Sequence, residues 1–146
     1  MASKGPLGGS DQKDPQGPPF RDPGFRISGF TIWSGDYVDA LQLHYVDTNT
    51  GSTFDGPKYG GDGGNSATID FGGDENLTGI TIHSGRWIDS LTFFTSTEGQ
   101  YTFGGSGGPN VENLSGEDST IQTIYDLAVG FGRYLNNLTI YYPDLP

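Results

Sequence analysis

The chain has 146 residues, no cysteine, 25 glycines and a formal net charge of −11, which allows one domain with a real core and excludes disulfide frameworks, thiolate metal sites and cysteine nucleophiles. With only seven Lys and Arg, it is a poor partner for phosphate backbones or anionic membranes, whereas a neutral ligand is compatible with the charge. Hydrophobic content of 32% is low, partly offset by a 13% aromatic share, a profile that fits an all-β protein with many turns.

Residues 1–24 are rich in Gly, Pro, Asp and Gln and show no apolar periodicity. Pro15, Pro18, Pro19 and Pro23 exclude a helix or a central strand, so this segment reads as an irregular N-terminal loop or arm, anchored by Phe20. From Phe25 onward the chain reads as strands of period 2. Phe30 and Ile32 alternate with Thr31 and Trp33, Gly35-Asp36-Tyr37 forms a loop, and Val38 to Val46 follows. Asn49-Thr50-Gly51 signals a turn, Ser52 to Phe54 a short strand, and Tyr59-Gly60-Gly61-Asp62-Gly63-Gly64 a glycine loop.

A second unit repeats this plan. Ala67 to Phe71 and Leu77 to His83 precede the loop Gly85-Arg86-Trp87, and Ile88 to Ser96 follows it. Thr97-Glu98-Gly99 turns into Gln100 to Phe103, which ends in the loop Gly104-Gly105-Ser106-Gly107-Gly108. A third unit takes in Val111 to Leu114, Thr120 to Phe131 and Tyr134 to Tyr142, and stops at Pro143.

The octapeptides Ser34 to Leu41, Ser84 to Leu91 and Phe131 to Leu138 are copies of one another. Their glycines, Gly35, Gly85 and Gly132, stand 50 and 47 residues apart, an interval that marks a repeated supersecondary unit. Asp39 begins the row Leu41, Leu43, Asp89 the row Leu91, Phe93, and Asn136 the row Leu138, Ile140. Each acid or amide is therefore expected to open a core-facing row at the mouth of a sheet, a costly place for a carboxylate without partners.

Three Gly-x-x-x-Asp-type loops and three glycine loops in about 130 residues of β-strands resemble the jacalin-related lectins, in particular the mannose-binding members with several sites per chain. The resemblance implies a β-prism I fold: three four-stranded antiparallel sheets with pseudo-threefold symmetry, residues 1–146 forming a single lectin domain. It also implies sugar sites that join each Gly-x-x-x-Asp loop to the glycine loop of the next repeat. Carried over, Gly35, Asp36, Tyr37, Val38 and Asp39 face Gly60 and Gly61, and Gly85, Arg86, Trp87, Ile88 and Asp89 face Gly104 and Gly105. A third, weaker site sets Gly132, Arg133, Tyr134 and Asn136 against Gly8 and Gly9.

The chemistry suits a sugar. A carboxylate accepts from two neighbouring hydroxyls at once, and charge-assisted bonds are roughly twice as strong as neutral ones. Backbone N–H groups donate in return, and the aromatic third position (Tyr37, Trp87, Tyr134) can flank an apolar sugar face. One shallow site is expected near ~4 kcal/mol, with avidity arising from several sites on one molecule. At the third site Asn136 replaces the acid and Ser10-Asp11-Gln12 lacks the second glycine pair, which weakens or silences it. Arg86 and Arg133 share a loop position with Asp36, where glycan tuning and a solvated surface are equal readings.

The expectation is a non-catalytic, multivalent lectin for mannose/glucose-type or high-mannose glycans, since galactose preference in that family accompanies a cleaved chain. A lectin for another sugar, or an assembly module with decayed sites, is the alternative. Asp39 and Asp89 as a glycosidase pair would need to share one site, and equivalent members of different repeats should not. His44 and His83 are isolated, without acidic or cysteine partners at ligand spacing, so no metal or other cofactor is expected. A calcium site would draw on Asp62, Asp74 and Glu75, but no loop has dense alternating ligands. Trp33 and the Tyr141-Tyr142 pair read as core or interface. The sequons at Asn76, Asn113 and Asn137 read as turn residues or chance, because no signal peptide is visible. Cytoplasmic residence or release without a signal peptide is therefore expected, with glycans as partners, no nucleic acid, no membrane insertion, and a homodimer left open.

Overall fold

In the computed structural model the described residues are 2–11, 13–16, 24–72, 75–113 and 123–142. They form eleven strands and no helix: β1 (Ala2–Gly8), β2 (Phe25–Ser34), β3 (Val38–Asp47), β4 (Thr53–Gly60), β5 (Asn65–Asp70), β6 (Leu77–Ser84), β7 (Ile88–Thr95), β8 (Gln100–Gly104), β9 (Asn110–Asn113), β10 (Asp126–Phe131) and β11 (Leu135–Tyr142). Phe20, Pro143 and the start of the third unit near Thr120 lie outside the described residues.

Three antiparallel sheets face one another around a shared core, in the orders β4-β3-β2-β5, β8-β7-β6-β9 and β1-β11-β10. The third sheet has three strands plus a single bridge, Gln16 to Val129, where its counterparts carry a fourth strand. On its N-terminal side Pro15 has no N–H to extend that ladder.

Two sequence readings are corrected. The arm assigned to residues 1–24 begins as a strand: β1 pairs with β11 from Ala2 opposite Tyr142 to Gly8 opposite Asn137. Pro6 is tolerated because β1 is an edge strand whose register shifts between Lys4 and Leu7, so no central ladder bond is lost. Second, β5 and β9 belong to the preceding sheets, pairing with β2 and β6, so each sequence repeat is offset from its structural unit by one strand.

The core is the meeting of the three inner faces. Phe30 stacks on Phe93 at 4.3 Å between ring centroids and meets the edge of Phe103, joining the first sheet to the second. Leu41, Leu43, Leu91, Leu127, Leu138 and Ile140 fill the remainder and are fully buried. A polar pair crosses this core: the Tyr45 hydroxyl donates to Asp126 Oδ1 at 2.6 Å, linking the first and third sheets. Burial and the neighbouring Asp126 push the Tyr45 phenol far above its ordinary range, so it stays a donor.

Candidate carbohydrate site

Strands β2, β6 and β10 end where β3, β7 and β11 begin, at one end of the prism, and β1, β4 and β8 end there too. All three Gly-x-x-x-Asp-type loops and all three glycine loops therefore share one end. At each motif the ladder slips by one residue. Trp33 pairs with Ala40 but Ser34 with Val38; His83 pairs with Ser90 but Ser84 with Ile88; Gly130 pairs with Asn137 but Phe131 with Leu135. Asp39, Asp89 and Asn136 are each the extra residue of a β-bulge, a device that re-aims a side chain. This corrects the expectation that these residues open the core-facing rows. Val38, Ile88 and Leu135 close the top of the core instead, and the acids are turned out of the row to line the mouth. Val38 and Ile88 can accordingly offer a ligand only their backbone.

The carried-over pairings are present as backbone geometry. The N–H groups of Gly61, Gly105 and Gly9 donate to the carbonyls of Asp39, Asp89 and Asn136 at 2.9, 2.9 and 2.6 Å. Both partners of each pair lie in one sheet, so the halves do not come from successive repeats as expected. The neighbouring repeat enters through a different contact. A side chain on Gly61 would overlap the backbone carbonyl of Arg133, one on Gly105 that of Asp36, and one on Gly9 that of Arg86. Gly61, Gly105 and Gly9 are thus required for loop-on-loop packing, and Gly61 and Gly105 also line the clefts described below.

The second glycine pair stands at the carboxylate. A methyl group on Gly63 or Gly64 would lie 3.0 or 2.9 Å from an Asp39 oxygen, and one on Gly107 or Gly108 would lie 2.8 or 3.0 Å from an Asp89 oxygen. Gly64 and Gly108 also hold φ of +84° and +92°, a conformation that side chains resist. These four glycines were missed as site residues, although the doubled Gly-Gly spacing in both loops was the signal.

Two clefts result. One is lined by Asp39, Gly61, Asp62, Gly63, Arg133 and Tyr134, the other by Asp36, Tyr37, Asp89, Gly105, Ser106 and Gly107. In each, a buried carboxylate stands against its own sheet's glycine loop, and the flank comes from a different repeat. Asp39 and Asp89 are 6% and 8% exposed, enough to meet a ligand but not to be fully hydrated. Burial raises the Asp39 carboxyl above the usual carboxylate range, opposed by the Arg133 charge and assisted by Asp36. Burial likewise raises Asp89, opposed by the bond from the Gly85 N–H and by His83.

The third copy is closed. Asn136 is 1% exposed, and its amide donates 2.7 Å to the Asp11 carbonyl, at the position that Gly63 and Gly107 occupy elsewhere. Arg86 lies over the same segment, its Nε 3.9 Å from Asp11 Oδ2.

The aromatics of the third loop position, of which Tyr134 and Tyr37 line the clefts, also meet one another. Tyr37, Trp87 and Tyr134 pack on one another, with ring centroids 5.2 Å (Tyr37–Trp87), 4.9 Å (Trp87–Tyr134) and 4.8 Å (Tyr37–Tyr134) apart. They form a plug between the loops, and Arg86 and Arg133 lie over its Trp87 and Tyr134 rings. Trp33 is half-buried beneath the Lys58 ammonium at 4.2 Å. His44 is not isolated: its Nδ1 is 2.6 Å from Asp55 Oδ1 and its Nε2 2.8 Å from Thr31 Oγ1, a cross-strand ladder that sequence spacing concealed. Glu75 accepts from Thr95, Thr97 and the Gly72 N–H at the end opposite Asp62, and Asp74 lies outside the described residues. Among the described residues no group of three His, Asp or Glu side chains is placed to hold a metal.

Comparison with known proteins agrees with this geometry. A family profile described as "Jacalin-like lectin domain" matches residues 5–141. Griffithsin from Griffithsia sp. is 32% identical over 118 residues, covering 80% of this chain and 84% of griffithsin. Horcolin from Hordeum vulgare is 32% identical over 111 residues, covering 71% and 73%. The structure of a mannose-binding jacalin-related lectin from Ananas comosus superposes with a TM-score of 0.74 at 25% identity, over 96% of this chain and 95% of that one. Three sheets, three bulged motif loops and a family match that spans nearly the whole chain lead to one assignment: this protein belongs to the jacalin-like lectin family, a non-catalytic carbohydrate-binding family.

Proposed function

We propose that the chain binds mannose/glucose-type units, including those of high-mannose glycans, at the Asp39 and Asp89 clefts, and that the Asn136 position does not bind. The observation that carries this reading is the twofold recurrence of a bulged, buried carboxylate walled by a glycine pair. No side-chain partner neutralises either acid by direct contact among the described residues, so each retains acceptor capacity for vicinal hydroxyls. Relatives of known sugar preference support the sugar class: the Ananas comosus lectin is mannose-binding by its description.

Mechanistically, each cleft offers one charged acceptor, loop backbone N–H groups, and space that only glycine leaves. Binding at one cleft is expected to be weak, near a millimolar constant. Two clefts at one end of the molecule raise avidity for branched glycans by ~100-fold where the branch spacing matches. A glycan array on the wild type beside Asp39→Ala and Asp89→Ala tests the reading. Each substitution should lower binding to mannose-rich glycans with the fold intact, and unchanged binding by both variants overturns the site assignment.

A further inference from the structure

The two clefts differ in the charge of the flank that a neighbouring repeat supplies. Beside Asp39 that flank is Arg133; beside Asp89 the equivalent position is Asp36. The equivalence is exact in backbone terms, since Gly61 packs on the Arg133 carbonyl as Gly105 packs on that of Asp36. In each case the contact is made by backbone atoms, so the side chain is not used by the loop packing. The third member, Arg86, faces Asp11. Arg133 is exposed, lies over Tyr134, and makes no ion-pair contact among the described residues.

We propose that the two clefts select sugars of opposite charge character: the Asp39 cleft takes a mannose-type ring bearing one acidic substituent, a carboxylate or a sulfate, directed at Arg133, and the Asp89 cleft rejects that substituent through Asp36. This rests on the glycan-binding reading above and assigns Arg133 and Asp36 as specificity-determining residues. Asp62, on the glycine loop, also lines the Asp39 cleft, where the Asp89 cleft has Ser106. Its carboxylate opposes an acidic group, so Arg133 is the cation of that lining to which such a group is directed. The chain's net charge of −11 repels long polyanions, so the class is a singly charged residue within an otherwise neutral glycan. A fork of guanidinium donors matches a planar carboxylate or two sulfate oxygens, whereas the facing carboxylate of Asp36 does the reverse.

Calorimetric or NMR titration of the full chain decides this. With the Asp89 cleft silenced by Asp89→Asn, methyl α-mannoside, its 6-sulfate and the methyl glycoside of mannuronic acid are compared. One or both anionic sugars should bind ~5-fold more tightly than the neutral one at low salt, the scale of an exposed charged pair. The preference should fall with added salt. Arg133→Ala should bring the ratio of anionic to neutral affinity near one, and Arg133→Asp should invert it. Conversely, Asp36→Arg with Asp39→Asn should confer the anionic preference on the remaining Asp89 cleft, a gain that loss of folding cannot mimic. Equal affinity for neutral and anionic sugars with Arg133 intact overturns the charge assignment and leaves the glycan reading standing. Failure of wild type to bind any of the three sugars, monomeric or clustered on an array, overturns both.

Discussion

Replacing Asp89 by Asn should empty one cleft without harming the fold, and the molecule already shows what the product looks like. At Asn136 the third repeat carries an amide on the same bulge, where it donates 2.7 Å to the Asp11 carbonyl. The corresponding acceptor in the second repeat is the carbonyl of Gly107, whose Cα already lies close enough that an added methyl would come within 2.8 Å of Asp89 Oδ2. An amide at position 89 should therefore turn inward and take the place where a sugar hydroxyl would donate. Losing a charge-assisted acceptor costs ~1–3 kcal/mol, about 5- to 150-fold in affinity. From a millimolar start, that removes measurable binding at the site.

Stability should move the other way. Burial raises the Asp89 carboxyl, which means the folded chain holds its proton more tightly than the unfolded chain does. The ionised form is thus a cost to folding above the raised value, and acidification toward the ordinary carboxylate range relieves it. A neutral amide relieves it at every pH, so the variant should melt no lower than wild type at pH 7. The assay is titration with methyl α-mannoside, read as stoichiometry, alongside thermal unfolding. The expected result is a fall from two sites to one with melting unchanged or raised. Two sites of unaltered affinity would refute the placement of Asp89 in the cleft, and a lowered melting point would refute the stability argument.

The remaining expectations concern other parts of the same architecture. Sugar binding should fall on acidification starting above the ordinary carboxylate range, because both acids must be ionised and both are raised; a titration series from pH 7 downward checks it. Gly105→Ala should destabilise by ~3 kcal/mol or more in urea unfolding through overlap with the Asp36 carbonyl, whereas Gly35→Ala, with nothing within 4 Å, should cost well under half of that. Tyr45→Phe removes one donor to buried Asp126, which also accepts from the Leu127 N–H, and should cost ~1–3 kcal/mol with sugar affinity unchanged. Asn136→Asp should destabilise the chain rather than create a third sugar site, since the new carboxylate would face the Asp11 carbonyl at a position only 1% exposed; titration stoichiometry and melting together read this out.

Much of the fold was legible because its signals are local. The period-2 rows that give Leu41, Leu43 and Phe93, and the threefold spacing of Gly35, Gly85 and Gly132, are properties of adjacent residues and even intervals. What escaped depends on register or on distant partners. A bulge at Asp39 leaves no mark on composition, because it exists only as a miscount between two strands. The strand at Ala2–Gly8 has little apolar pattern of its own and is defined by pairing with β11, more than 130 residues later. The aromatic plug follows the same rule: Tyr37, Trp87 and Tyr134 are equivalent by spacing, but only the closure of three sheets brings equivalent positions together at one axis. The packing role of Gly61 escaped for a related reason, since Gly61 meets Arg133 across 72 positions of chain.

The third repeat shows how a symmetric sequence can carry asymmetric geometry. Here one sheet is closed by strands far apart in the chain, β1 with β11; it keeps the β10–β11 hairpin but lacks a counterpart to the β3–β4 and β7–β8 hairpins of the other two. The missing constraint is supplied by side chains at the motif itself. Asn136 holds the Asp11 carbonyl, Asn137 donates 2.7 Å to the Lys13 carbonyl, and Gln16 pairs with Val129 through both backbone bonds. An amide can do this because it donates to a carbonyl, whereas an ionised carboxylate at position 136 can only repel one. The same bulge therefore serves two chemistries. With a carboxylate and a glycine wall it leaves an open acceptor for a ligand; with an amide and a peptide wall it becomes a latch that ties the N-terminal segment to the C-terminal strands.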